Sequence, residues 1–262
     1  NLAVCAWDHG YAWRYFSNDQ TSGDKITMPE MQAAIQSAGV YIDILSFDCC
    51  NMAAIEVVYQ AGLTGLVGHL VASEETIPMN GYPYDLMLTP VANNPSRTPS
   101  QVAVDMVNGW AAYYDPLTWA STVNLAAIDV ASVMQSIGTI DAWCDRMYLD
   151  LAQYKRSYKT DLSLSYSAWG TYYHVDMADL CDVIAADATI KDATLKTLST
   201  SVSAAIDNAV LAVDNGPGNG DCRGLTLWWA SKSDWKTYKA AYQEVAFAID
   251  MNWYAFLAAY NA

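Results

Sequence analysis

Short apolar runs alternating with helical patterns constrain this chain more than any other feature. Residues 2–7, 42–47, 66–72 and 122–128 are apolar runs of strand length, and a fifth candidate lies at residues 224–230. Near-continuous apolarity over so few residues reads as a strand covered on both faces. Between them, residues 29–38, 52–61, 100–114 and 130–151 space their apolar side chains for a helix, with proline in the first turn at Pro29 and after Thr98. Repeated strand-then-helix order predicts an α/β fold: a mainly parallel sheet with helices on both faces, and function at the carboxyl ends of the strands. The second half is richer in helix, with patterns over 176–187, 192–213 and 234–260 and a plain loop at 215–220. No repeat or low-complexity linker interrupts the sequence, so residues 1–262 read as one domain with extra C-terminal helices.

The charge balance limits the partners. With 28 acidic and 13 basic residues the formal charge is −15, which disfavours nucleic acid and anionic membranes and favours a cationic partner. No apolar run is long enough to span a bilayer. Six scattered cysteines do not make a disulfide scaffold in a chain of this size, and neither a C-x-x-C pair nor a zinc-type spacing occurs. No metal site is predicted.

Two of the strand ends carry chemistry. The first apolar run ends at Asp8-His9-Gly10 and the second at Asp48-Cys49-Cys50. Of the three histidines, His69 lies inside an apolar run and reads as a satisfied core residue, whereas His9 is followed by a glycine that lets the backbone approach a ligand closely. Cys50 precedes a helical pattern from Met52, and a thiol at a helix start is activated by the positive end of the dipole. One helix separates the two, which predicts neighbouring parallel strands and a shared cleft. Against this stands the plain reading of Cys50 as a small buried residue.

Trp7-Asp8-His9-Gly10 resembles the His-Gly motif of the clostripain family of cysteine peptidases. Residues 44–52 resemble its Phe-Asp-Ala-Cys-Leu-Met motif; Cys49 stands in the alanine's place and Cys50 aligns with the nucleophile. Ser73-Glu74-Glu75 with Gly81-Tyr82-Pro83-Tyr84 resembles the segment after the next strand, and residues 242–260 resemble the closing helix.

The resemblance implies a caspase-like α/β/α sandwich and a cysteine endopeptidase that hydrolyses peptide bonds after Arg or Lys through an acyl-enzyme. His9 and Cys50 form the dyad, with no orienting acid, and the backbone N–H groups of Gly10 and Cys50 form the oxyanion hole. Asp48 lies at the base of the primary pocket, lined also by Ser73 and Glu74; a strand-end cap is the plain alternative for Asp48. Family members are cut between histidine and cysteine, which makes Lys25 a candidate self-cleavage site, with an ordinary surface lysine as the alternative. The family domain has strands before its histidine strand, so residues 1–262 are expected to lack N-terminal strands that a further segment or chain supplies. If the cleft stays incomplete, a catalytically silent or regulatory binding protein results. Calcium stimulates some relatives; no spaced calcium ligands occur, and no cofactor is required. A secreted or cell-surface location is implied.

Overall fold

Thr98 begins a helix because its side chain and that of Gln101 cap each other's backbone N–H groups, at 3.3 and 3.0 Å. Such local signals, together with the apolar runs, give the element order of the computed structural model, which describes residues 1–168 and 174–262. In chain order these are β1 (Ala3–Trp7), β2 (Phe16–Asn18), β3 (Lys25–Ile26), α1 (Met28–Ala38), β4 (Ile42–Asp48), α2 (Ile55–Gly62) and β5 (Val67–Ala72). There follow α3 (Tyr84–Asn93), α4 (Pro99–Tyr114), β6 (Leu125–Asp129), α5 (Val130–Leu149), α6 (Leu151–Leu164), β7 (Ser167–Ala168) and β8 (His174–Asp176). The remainder is α7 (Met177–Ala186), α8 (Ala193–Ala209), β9 (Val210–Asp214), β10 (Thr226–Trp228), α9 (Lys232–Tyr242), α10 (Ala246–Asp250) and α11 (Trp253–Tyr260).

The main sheet runs β1-β4-β5-β6-β9. β1, β4 and β5 are parallel, as expected, whereas β6 and β9 pair antiparallel. Successive residues face opposite layers. Ile44, Val71, Leu125 and Ala127 pack beneath α3 and α4 with Met87, Met106 and Trp110. Leu45, Phe47, Leu70, Ala126 and Ile128 face the larger core that holds α1, α2 and α5. Both faces are thereby covered, which is why the central strands are apolar throughout.

Three boundaries differ from the sequence reading. The pattern over residues 192–213 is helix only to Ala209; the β-branched Val210 and Val213 instead form β9 against β6, a case of edge pairing overriding helical periodicity. Residues 224–230 contribute β10 to a separate three-stranded sheet, β10-β8-β7, which meets the turn before α2 through a parallel bridge between Thr226 and Ala54. The closing pattern over 234–260 is three helices, with Asn252 in the left-handed conformation between the last two. Among the described residues no helix is long and apolar enough to cross a membrane.

Candidate active site

The parallel register places Trp7 opposite Asp48, so the residues just past the two strands bring His9 level with Cys50. Asp8 holds the first turn: one carboxylate oxygen accepts the His9 N–H at 2.6 Å and the other the Asn18 N–H at 3.0 Å. A bridge between Gly10 and Phe16 closes the loop through Ser17 N–H to His9 O and Tyr11 N–H to Tyr15 O, which leaves the Gly10 N–H outside the ladder. The His9 side chain is exposed, and among the described residues its imidazole has no hydrogen-bond partner.

Gly10 is required by space. A Cβ there would lie 2.4 Å from Cys50 O, 2.9 Å from Cys49 Cβ and 3.1 Å from Cys50 N. The two strand-end turns therefore touch backbone to backbone.

The two adjacent thiols differ in setting. Cys49 is buried, points back to Ala6 O at 3.3 Å, and burial pushes its pKa up to about 12. Cys50 is half-buried, and its Sγ accepts the Ile77 N–H at 3.3 Å. Burial raises the Cys50 pKa, the Ile77 contact lowers it, and the nearby Asp48 charge adds to the rise. The expected activation by a helix start is not what the structure has: α2 begins at Ile55 after the cap residue Ala54, and Asn51 turns the chain with a φ of 61°.

Asp48 is 3% exposed, and its Oδ2 accepts the Tyr82 N–H at 3.1 Å and the Tyr84 O–H at 2.8 Å. Its Oδ1 is buried with no hydrogen-bond partner among the described residues. Burial raises the pKa of this carboxyl, and the two hydrogen bonds oppose the rise. Gly81, at a φ of +67°, lets the loop pass: a Cβ there would sit 3.0 Å from Asp48 Oδ2. The residues 81–84 were legible as a motif, but their task of clamping Asp48 was not.

Ser73 and Glu74, expected to line the same pocket, turn inward. Ser73 is fully buried and donates to Asn124 Oδ1 at 2.6 Å. Glu74 is 1% exposed, and its carboxyl faces Asp176 and Cys222; burial and the Asp176 charge raise its pKa well above the ordinary range. Their backbones matter more, since Glu74 O accepts Asn51 Nδ2–H at 2.6 Å and Glu75 O accepts the Asn51 N–H at 2.9 Å. Asn124, 50 residues away in sequence, holds this bend with one amide and was not foreseeable. Lys25 is exposed on β3, with its Nζ 4.1 Å from the centre of the Tyr15 ring.

The model of the clostripain family of C11 peptidases matches residues 1–259. The chain belongs to the clostripain family. As a clostripain-family member it is a cysteine-type endopeptidase, and its sheet and covering helices are the caspase-like α/β/α sandwich. An inactive zymogen C11 protease from Parabacteroides distasonis superposes with a TM-score of 0.69 at 14% identity, over 95% of this chain and 69% of that one. A secreted C11 cysteine protease from Bacteroides thetaiotaomicron gives 0.68 at 16% identity, over 97% and 71%. A clostripain from the same organism, in complex with the peptide inhibitor BTN-VLTK-AOMK, gives 0.63 at 15% identity, over 92% and 99%. No curated protein sequence matches the chain.

Calcium is implied for some relatives. Among the described residues the one group of three metal-type donors is Glu74, Asp176 and Cys222, and a thiol among so few oxygens makes that group a poor calcium site.

Proposed function

We propose that this clostripain-family chain hydrolyses peptide bonds after lysine or arginine, with Cys50 as nucleophile and His9 as base and then acid. The observation that carries the reading is Asp48, a buried carboxyl with one oxygen lacking a hydrogen-bond partner among the described residues. A lysine ammonium or arginine guanidinium supplies both donor and counter-charge. His9 takes the Sγ proton as Cys50 attacks the scissile carbonyl; the Gly10 and Cys50 amides face the oxyanion; the amine leaves with the proton from His9, and water hydrolyses the thioester. Because Ile77 lies on Sγ and Asp48 Oδ1 is out of water, the segment 77–81 moves aside when substrate enters. Ser73 and Glu74 serve as supports behind the site rather than as contacts.

Three further elements belong to this reading. Lys25, exposed, is the candidate self-cleavage site. A strand from an N-terminal segment or separate chain of the same domain adds to the open edge of β1, where Leu2, Val4 and Trp7 are 39%, 37% and 73% exposed. The protein works outside the cell or at its surface.

The test is hydrolysis of fluorogenic peptides with Lys, Arg or norleucine before the cut, under reducing conditions. The wild type is expected to cleave the basic peptides, and Asp48→Asn to lose about 2–5 kcal/mol of transition-state stabilisation on them, roughly 30-fold or more in kcat/KM. Equal turnover of the norleucine peptide overturns the basic preference. A silent peptide-binding protein is the second reading, favoured by the Ile77 contact that covers Cys50; retained binding of basic peptides with no turnover selects it.

A further inference from the structure

Behind the candidate active site lies a buried cluster that the peptidase chemistry does not use. Glu74 follows β5, Asp176 ends β8, and Cys222 lies in the loop before β10. One ligand atom from each falls within 4.8 Å of the others, and all three residues are buried. Among the described residues neither Glu74 oxygen receives a hydrogen bond from an N–H or O–H group that meets ordinary geometry. Arg223, the cation nearest in sequence, directs its guanidinium to Asp182 and Asp207 instead. Two carboxyls and a thiol facing one another in the interior need a proton or a cation between them.

The surroundings favour a cation. Asp176 is fixed by the Asp179 N–H at 2.8 Å and the Arg223 N–H at 2.6 Å, so its carboxylate is oriented from outside the cluster. Asn124 donates to Cys222 Sγ at 2.6 Å while its Oδ1 accepts from Ser73, Glu74 and Glu75. Outer partners that hold ligand atoms in place and stabilise a thiolate are what a metal site requires. Glu74 can give two oxygens, which with Asp176 and Cys222 completes four donors. One sulfur with carboxylate oxygens suits a borderline dication of the zinc class rather than calcium or magnesium.

We propose that Glu74, Asp176 and Cys222 bind a transition-metal dication of the zinc class, as a structural clamp between the end of β5, the start of α7 and the loop before β10. The Cys222 proton leaves on binding, and the metal takes its place. Through Glu74 O and Glu75 O the clamp reaches Asn51, the neighbour of Cys50.

The experiment is to express the chain with zinc, dialyse it, and measure bound metal by mass spectrometry, then to refold it with Co²⁺ and record the sulfur-to-cobalt charge-transfer absorption. Stoichiometric zinc and a thiolate band are expected in the wild type and in Cys50→Ala, which lacks the active-site thiol. Cys222→Ser is expected to lose the band, and Asn124→Ala to weaken binding by about 10- to 100-fold. Absence of both metal and band in the folded wild type overturns the proposal and assigns the cluster to a proton shared by Glu74 and Asp176. A band that survives in Cys222→Ser, or disappears in Cys50→Ala, also overturns it. The wild-type and Cys50→Ala measurements decide the matter even if Cys222→Ser does not fold.

Discussion

Replacing Gly10 by alanine perturbs the contact with Cys49 and Cys50 on which the proposed site depends. The added Cβ would stand 2.4 Å from Cys50 O, and real Cβ contacts essentially never fall below 3.0 Å. The two strand-end turns must then separate by at least the difference, about 0.6 Å, and neither neighbour is a flexible side chain that can swing away. Misplacement on the 1 Å scale costs about 100-fold in rate where reacting groups must be aligned, so a fall in kcat/KM of about 10- to 100-fold is expected. The overpacking itself costs about 1–3 kcal/mol of stability, which thermal unfolding by circular dichroism reads separately from activity on a basic fluorogenic peptide. A folded Gly10→Ala protein with unchanged kcat/KM refutes the argument that contact between these turns sets the alignment of His9 and Cys50.

Cys49→Ala removes a buried thiol that donates to Ala6 O; peptide hydrolysis is expected to persist, and a total loss in a folded variant reassigns the nucleophile. Glu56 accepts from the Trp228 N–H and the Tyr242 O–H, and burial pushes its pKa from 4.5 up to about 7. The folded state therefore holds this proton more tightly than the unfolded one. Its contribution is full below pH 4.5 and is lost as the pH rises through about 7, by about 3 kcal/mol; urea unfolding across that window should show the loss in the wild type and not in Glu56→Gln. Gly138 lies in α5 with open space at its Cβ position, so Gly138→Ala should raise stability by about 0.5–1 kcal/mol with activity unchanged.

The parts of the fold visible in sequence were those fixed by local pattern. The runs that became β1, β4 and β5 are apolar because both faces are covered, and the two that end at His9 and Cys50 are parallel neighbours as their spacing implied. β9 was hidden because Val210 to Asp214 continues a helical spacing, and only pairing with β6 turns it into a strand. In the candidate site, the placement of His9, Gly10 and Cys50 at adjacent strand ends was legible from motif and spacing. Tyr84 on Asp48, Ile77 on Cys50 and Asn124 beneath the Ser73 bend were not, because each joins segments 27 or more residues apart. The inward turn of Glu74 was concealed for the same reason, since Asp176 and Cys222 lie far along the chain.

The central claim is that Cys50, beside a pocket built on Asp48, is the working thiol. An irreversible electrophile carried on a lysyl or arginyl peptide, applied under reducing conditions and mapped by mass spectrometry, tests thiol and pocket together. The expected result is a single adduct on Cys50 that is sharply reduced in Asp48→Asn. An adduct on Cys49, or labelling that ignores the basic residue, would contradict the account.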